Sequence, residues 1–382
     1  MNIERITSRD GARIACKRRP GPGTPVILLH GLAVNADLWD IPDIDAPGCR
    51  YRSLASVLHA AGYDLWLMNH RGCGRPHMLS EPPEGQADWC VDHSIVFDFP
   101  AVAGHVQRAT GRRPFLIGNS LGAMTIAAYL QGAVIVGYGD QETIIADENA
   151  ARNRARETAG AVLIEFPAAL RWPRSAFSDG GGLNWGSLWP AGQGDQNLAF
   201  EFLSRFGWLE GLIRSAGSVR LDWLRGAGDL AGGGAFSTWL KTTAMQWYST
   251  NIKGAANFSA ETFVNGLLRA ADTMKSGVLR QLSKSVRMGG FVSSLGTPDH
   301  VYSEHYDLIE SPVFVIAGGR DHIASAETTR TVFFDRVRTA DRTFQLFETM
   351  SHGEFEYAPI ATERVYPQIL EWIRARDTAA TQ

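Results

Sequence analysis

Short apolar runs separated by longer amphipathic segments alternate along this chain. Runs such as Val26 to Leu29 and Val313 to Ala317 carry no polar position, a pattern typical of strands buried on both faces of a parallel sheet. Strands are predicted at 25–29, 63–69, 114–118, 161–166, 312–317 and 343–348, and helices near 50–61, 98–110, 120–131, 325–338 and 367–376. A hairpin is predicted around Asp10-Gly11. The alternation predicts an α/β domain with a mostly parallel sheet flanked by helices.

The alternation stops between Pro167 and about Ile309, where helical and glycine-rich segments replace it. We predict a large, mainly helical cap at 167–309, inserted between core strands of a domain formed by 1–166 and 310–382. The glycine-rich stretches 180–182 and 226–234 are expected to be flexible parts of a lid. Tryptophans are concentrated in the cap, where most are expected to pack against each other and some to line an apolar pocket: Trp172, Trp185, Trp189, Trp208, Trp223, Trp239 and Trp247.

The pentapeptide Gly118-Asn119-Ser120-Leu121-Gly122 lies between a predicted strand and a predicted helix. A Gly-x-Ser-x-Gly sequence in this context is typical of the nucleophile elbow, a strained turn that exposes a serine hydroxyl above the sheet. The sequence therefore predicts Ser120 as a catalytic nucleophile.

Two further side chains follow predicted strands in the order that a Ser, Asp, His triad requires. Asp321 comes after the strand at 312–317, and His352 lies 31 residues later (352 − 321). We expect His352 to be the general base and acid, and Asp321 to orient it. Glu165, at the end of the strand 161–166, is the rival acid, and the chain order favours Asp321.

A catalytic serine also needs two backbone donors for the oxyanion of the tetrahedral intermediate. The strand 25–29 ends in His30-Gly31-Leu32, and Leu121 directly follows the nucleophile. The N–H groups of Leu32 and Leu121 are the predicted donors. His30 itself is interpreted as a structural imidazole that braces this loop.

These motifs together resemble the α/β-hydrolase superfamily over almost the whole chain. Asn69-His70-Arg71-Gly72-Cys73-Gly74 looks like the loop after the fourth strand of that fold, and Ala317 to Ile323 looks like the acid loop of the polyhydroxyalkanoate synthases. Tyr63 to Leu67 and Phe97 to Ala101 are similar to the acid-lipase branch. The synthases have cysteine in the elbow, so Ser120 favours hydrolysis. Haloalkane dehalogenases and epoxide hydrolases have aspartate there, which argues against both activities.

Composition narrows the list of partners and the compartment. The chain has 382 residues, 45% of them hydrophobic, and a net charge of −3. This charge provides no positive electrostatic field that would attract nucleic acid or an anionic membrane surface. Four cysteines without a C-x-x-C pair indicate free thiols and a reducing compartment. No signal peptide and no apolar window of about 18 residues is recognised, so a cytoplasmic location without an integral membrane segment is expected. The charged stretch 139–160 is interpreted as a solvated surface helix.

The resulting hypothesis is a serine hydrolase that cleaves a carboxylic ester with an apolar acyl or aromatic group through an acyl-enzyme, without a cofactor or metal. Its expected partner is a small-molecule or lipid-like ester, and the oligomeric state stays open. Carbon–carbon bond hydrolysis, thioester hydrolysis and acyl transfer on the same triad are alternatives. A non-catalytic ligand-binding protein of the same fold is a fourth.

Overall fold

The structure, a computed structural model, describes residues 2–46, 49–137, 139–170, 218–219, 257, 259, 262, 265–266, 269–321 and 323–377. Most of the predicted cap lies outside these residues, including its seven tryptophans and the glycine stretches 180–182 and 226–234. The division into core and cap therefore stays a prediction.

An eight-stranded sheet forms the centre of the described chain. Its strands are β1 (Asn2–Thr7), β2 (Arg13–Arg19), β3 (Pro25–Leu29), β6 (Asp64–Met68), β7 (Phe115–Asn119), β10 (Gly160–Ile164), β13 (Val313–Gly318) and β14 (Arg342–Phe347). They lie in the order β1-β2-β6-β3-β7-β10-β13-β14. The antiparallel pairs β1/β2 and β2/β6 lie at one edge, and the remaining neighbours are parallel. The six parallel strands and the N-terminal hairpin are those that the sequence predicts, to within two residues at each end.

Six shorter strands form two-stranded ribbons outside the main sheet. They are β4 (Ile44–Ala46) with β5 (Cys49–Tyr51), β8 (Ala133–Val136) with β9 (Thr143–Ala146), and β11 (Ser218–Val219) with β12 (Met274–Lys275). The sequence pattern predicts none of these ribbons, because strands of two to four residues carry too few alternating positions.

Helices cover both faces of the sheet. The described α-helices are α1 (Leu54–Ala60), α2 (Val91–His93), α3 (Phe99–Thr110), α4 (Leu121–Leu130), α5 (Glu148–Glu157), α6 (Ser276–Met288), α7 (Ala326–Thr329), α8 (Glu354–Tyr357), α9 (Pro359–Arg364) and α10 (Tyr366–Arg374). Single π-helical turns follow two of these helices, Ser94–Asp98 after α2 and Arg330–Phe334 after α7. Short 3-10 turns lie at Ala36–Asp40, Pro76–Met78, Gly139–Gln141, Tyr302–Glu304 and Tyr306–Leu308.

Alternate side chains of each central strand enter two apolar clusters on opposite faces. In β3, Ile27 and Leu29 join the cluster under α3 and α4, whereas Val26 and Leu28 join the cluster under α1 and α10. Because both faces of these strands are buried, the parallel strands appear in the sequence as unbroken apolar runs.

Residues 133–157 differ from the predicted solvated helix. They form the ribbon β8/β9 followed by α5, and the Arg154 side chain on α5 is buried. Its guanidinium donates hydrogen bonds to the carbonyls of Tyr129 and, at 3.0 Å, Ala133. Carbonyls at a helix end lack intrahelical donors, so Arg154 satisfies the end of α4 and fixes α5 against the core.

The longest described stretch of the predicted cap, residues 269–309, packs into the main apolar cluster through α6 and the segment after it. Asp92, which is fully buried on α2, joins the two. Its carboxyl accepts hydrogen bonds from Ser294 N (2.6 Å) and Leu295 N (2.7 Å). The Tyr302 hydroxyl (2.8 Å) and the Gln281 amide (2.5 Å) donate to its other oxygen. Buried hydrogen bonds thus tie this segment to α2.

Asp92→Ala should destabilise the protein by at least about 3 kcal/mol, because each buried donor left without an acceptor costs about 1–3 kcal/mol. Denaturant unfolding measures the loss. Asp335→Ala, an exposed control, should change the stability by less than about 0.5 kcal/mol. Equal stabilities of the two variants would contradict the joining role of Asp92.

Candidate active site

Ser120 lies at the tight turn between β7 and α4 with φ 50° and ψ −115°. This left-handed backbone is strained for a residue other than glycine. The turn is held by the Ser120 N–H, which donates to the Ile164 carbonyl at 2.9 Å. A Cβ on Gly118 would lie 2.6 Å from Ala123 N, and one on Gly122 would lie 2.1 Å from the Leu29 carbonyl oxygen. Only glycine fits at these two positions.

The structure brings Ser120, His352 and Asp321 into one hydrogen-bonded chain. His352 Nε2 is 3.2 Å from Ser120 Oγ, and His352 Nδ1 is 2.8 Å from Asp321 Oδ2. Both the aspartate and the histidine lie in loops that leave the carboxyl ends of β13 and β14, where parallel α/β sheets place their sites. The arrangement is that of nucleophile, base and orienting acid.

Asp321 is fixed on both of its oxygens. Its Oδ1 accepts the N–H groups of Ile323 at 2.8 Å and Ala324 at 2.7 Å, while Oδ2 faces the imidazole. These contacts hold the Asp321 carboxyl in one orientation beside His352.

Glu165, the rival acid, is fully buried directly after β10 and also has a positive φ of 50°. Its Oε2 is 3.8 Å from His352 Nδ1, which is 1.0 Å farther than Asp321 Oδ2 (3.8 − 2.8). Burial, and then the nearby Glu356 and Asp321 carboxyls, raise the pKa of Glu165 well above its usual value. Burial first, and then Asp321, raise the pKa of Glu356 to about 8. The geometry favours Asp321 as the partner of the imidazole.

The loop that holds Leu32 passes directly against the elbow. A Cβ on Gly31 would lie 2.6 Å from Asn119 Oδ1 and 3.2 Å from Ser120 Cβ. Leu121 is the first residue of α4, where N–H groups have no intrahelical acceptor. Leu32 and Leu121 border the same pocket, so both predicted oxyanion donors belong to residues beside the nucleophile.

His30 is completely buried behind this loop. Its Nδ1–H donates to the Gly31 carbonyl at 2.8 Å, and its Nε2 accepts the His70 N–H at 3.1 Å. Burial and then the neighbouring His70 hold the pKa of His30 well below 6.5, so the ring is neutral. These bonds agree with a bracing imidazole.

Asp272 is a site residue that the sequence did not single out. Its N–H donates to the Ala33 carbonyl at 2.7 Å, and its Oδ2 accepts Asn35 Nδ2 at 3.0 Å and Gly74 N at 2.8 Å. It therefore joins the Leu32 loop to the loop after β6. Its position 237 residues from Asn35 leaves no local signal for this contact in the sequence.

A pocket of about 140 Å³ opens beside Leu121 and the Leu32 loop. Its wall includes Trp89 and Val278, and the Lys275 ammonium lies 4.8 Å from the centre of the Trp89 ring. Cys73 also borders it. None of the four cysteines forms a disulfide, as the sequence predicts, and burial raises the pKa of Cys16 and Cys90.

Within the described residues, one group of side chains has the spacing of metal ligands: Glu165, Asp321 and His352. The Asp321 carboxylate and the imidazole already bind each other, which fits an acid–base site. No helix among the described residues is both long and apolar enough to cross a membrane.

Comparison with known proteins agrees with this architecture. A family model described as alpha/beta hydrolase fold matches residues 24–134. Lipase member K of Homo sapiens is 35% identical over 138 residues, which are 32% of each chain, and triacylglycerol lipase 2 of Arabidopsis thaliana is 28% identical over 32% of this chain and 28% of its own. The chain thus matches about a third of these relatives' lengths. An esterase structure from Exiguobacterium antarcticum aligns over 97% of this chain and 99% of its own, with TM-score 0.51 and 16% identity.

The raised pKa values of the buried glutamates predict how stability depends on pH. Above about pH 4.3 the unfolded chain releases the protons of these glutamates, whereas the folded protein retains them. The stability that the retained protons provide is lost as the pH rises through the folded-state pKa, which is about 8 for Glu356. Each retained proton gives a slope of about −1.4 kcal/mol per pH unit. Glu356→Gln should therefore lose stability less steeply than the parent between pH 6 and 8.

Denaturant unfolding at several pH values measures both slopes. The buried histidines, whose pKa values are lowered, contribute equally to both proteins and cancel in the difference. Parallel curves for the parent and Glu356→Gln would show that Glu356 is ionised in the folded state.

Proposed function

We propose that this chain, as a member of the α/β-hydrolase superfamily, is a serine hydrolase. It cleaves carboxylic esters through an acyl-enzyme. The observation that carries the proposal is the chain of contacts from Ser120 Oγ through His352 to Asp321, at 3.2 Å and 2.8 Å. The Oγ belongs to a half-buried serine on a strained turn. A serine with only a structural role requires neither the strain nor the base.

In the proposed mechanism, His352 Nε2 takes the Ser120 proton as Oγ attacks the ester carbonyl. The N–H groups of Leu32 and Leu121 bind the resulting oxyanion, each contributing about 3 kcal/mol to the barrier reduction. Asp321 stabilises the imidazolium and holds its tautomer. The imidazolium then protonates the leaving alcohol, and water attacks the acyl-enzyme by the same steps in reverse.

The proposed substrate is an ester with an apolar acyl or aromatic group. Leu32, Trp89 and Val278 give the pocket a largely apolar wall beside the elbow, and the sequence relatives are named as lipases. We retain 167–309 as the proposed cap, of which 269–309 is the longest described stretch. The four free thiols support a cytoplasmic location.

Ser120→Ala should lower kcat for p-nitrophenyl esters by on the order of 10⁶, because a triad nucleophile acts with its partners as a unit. The fold should persist with undiminished thermal stability, since alanine replaces a serine in a strained turn. Activity within tenfold of the parent would exclude Ser120 as nucleophile. A parent that a fluorophosphonate labels stoichiometrically without ester turnover would instead be a ligand-binding protein.

Asp321→Asn should lower kcat about 10⁴-fold, since the imidazole then adopts the wrong tautomer. Steady-state kinetics with the best ester of a graded chain-length series provides the measurement. If Glu165 were the orienting acid, Glu165→Gln would be the crippling change and Asp321→Asn a mild one.

A further inference from the structure

Two buried carboxyls beside the triad have no role in the mechanism above. Glu165 is at 0% and Glu356 at 2% of full exposure, in a region where an unpaired charge is very costly. Among the described residues, neither carboxyl has an arginine or a lysine beside it. The titratable groups around them are Asp321, His352 and the neutral phenols of Tyr51 and Tyr366.

Glu165 is tied to the loop that holds His352. One carboxyl oxygen accepts the N–H of Gly353, the residue directly after the histidine. The other accepts Asn119 Nδ2 at 3.0 Å. Gly353 has φ 86°, and α8 begins immediately after it. The Glu165 carboxyl thus joins the start of α8 to the elbow residue beside Ser120.

Glu356 completes the arrangement from the other side. Its two oxygens have no well-aligned hydrogen bond within the described residues, although the Asn119 amide and the Glu165 carboxyl lie beside it. A proton shared between the two carboxyls supplies the missing donor. It also lowers the charge of the pair from −2 to −1, which reduces the repulsion between the two carboxyls and between the pair and Asp321.

We propose that Glu165 is a positioning residue for His352, holding the imidazole over Ser120 through the Gly353 N–H, with Glu356 as its proton-sharing partner. Glu165 does not take the proton of the reaction. In this loop position Nε2 lies 3.2 Å from Oγ, and a displacement of about 1 Å can cost a hundredfold in rate. The inference rests on the proposed function for its consequence but not for its geometry.

The test separates the reach of this side chain from its charge. Glu165→Gln keeps the length and an acceptor for Gly353, and its amide can donate to Glu356. Glu165→Asp keeps the carboxyl but is one methylene too short. The matched controls Glu363→Gln and Glu363→Asp change an exposed glutamate on α9.

The readout is the rate constant for fluorophosphonate labelling of Ser120. Intact mass spectrometry gives the number of labelled sites, to which the rate is normalised, and thermal unfolding measures the stability of each variant. Labelling of Glu165→Asp should be about a hundredfold slower than that of the parent. Glu165→Gln should stay within about fivefold, the effect of one altered hydrogen bond, and both Glu363 variants should match the parent. With an active ester, the Glu165→Asp change should fall on kcat and leave KM within about twofold.

Equal labelling of Glu165→Asp and Glu363→Asp would overturn the proposal, as would an equal loss in Glu165→Gln and Glu165→Asp. A purely structural role would lower the melting temperature and leave the rate per labelled site unchanged. If the parent labels but hydrolyses no ester, the proposed function fails while this comparison still applies. If the parent does not label, amide exchange at Gly353 decides, and equal protection in both Glu165 variants would overturn the inference.

Discussion

The close backbone packing at the two elbow glycines, of β7 against the start of α4 and of α4 against β3, is the constraint on which the site depends. With no Cβ on Gly118 or Gly122, the backbone passes within contact of Ala123 and Leu29, and the turn at Ser120 becomes sharp enough to hold a positive φ. The strain costs about 1–3 kcal/mol and is opposed by the buried apolar runs on both sides. The same turn brings the Leu121 N–H and Gly31 close to the serine. One turn therefore positions both the nucleophile and the candidate oxyanion donors.

Around this turn, the loops at the carboxyl edge of the sheet are fixed mainly by buried polar contacts. Asp272 joins the Leu32 loop to the loop after β6, and Asp92 fixes the segment after α6. Glu165 ties the His352 loop to Asn119. Each carboxyl accepts backbone or amide N–H groups that the interior would otherwise leave unsatisfied. The described loops of the site are therefore held in place by hydrogen bonds where they meet the sheet.

The sequence predicts the parallel strands and the meeting of Ser120, Asp321 and His352, because apolar runs, elbow glycines and chain order are local signals. It does not predict the burial of Arg154, whose charge suggests solvent although its guanidinium reaches the end of α4. The burial of Glu356 is likewise not predicted. It follows from the direction that α8 takes after Gly353, and a helix of four residues gives no periodic signal of that direction. Contacts such as Asp272 with Asn35 depend on the folded chain alone.

The central claim is that Ser120 carries the acyl group of the substrate. Its most direct test uses a p-nitrophenyl carbamate, whose carbamoyl-enzyme hydrolyses slowly enough to be isolated, followed by peptide mass spectrometry of the modified protein. We predict one carbamoyl group per chain, on the peptide that contains Ser120. A carbamoyl group on Cys73 at the pocket wall, or substrate cleavage without any modified serine, would contradict the mechanism.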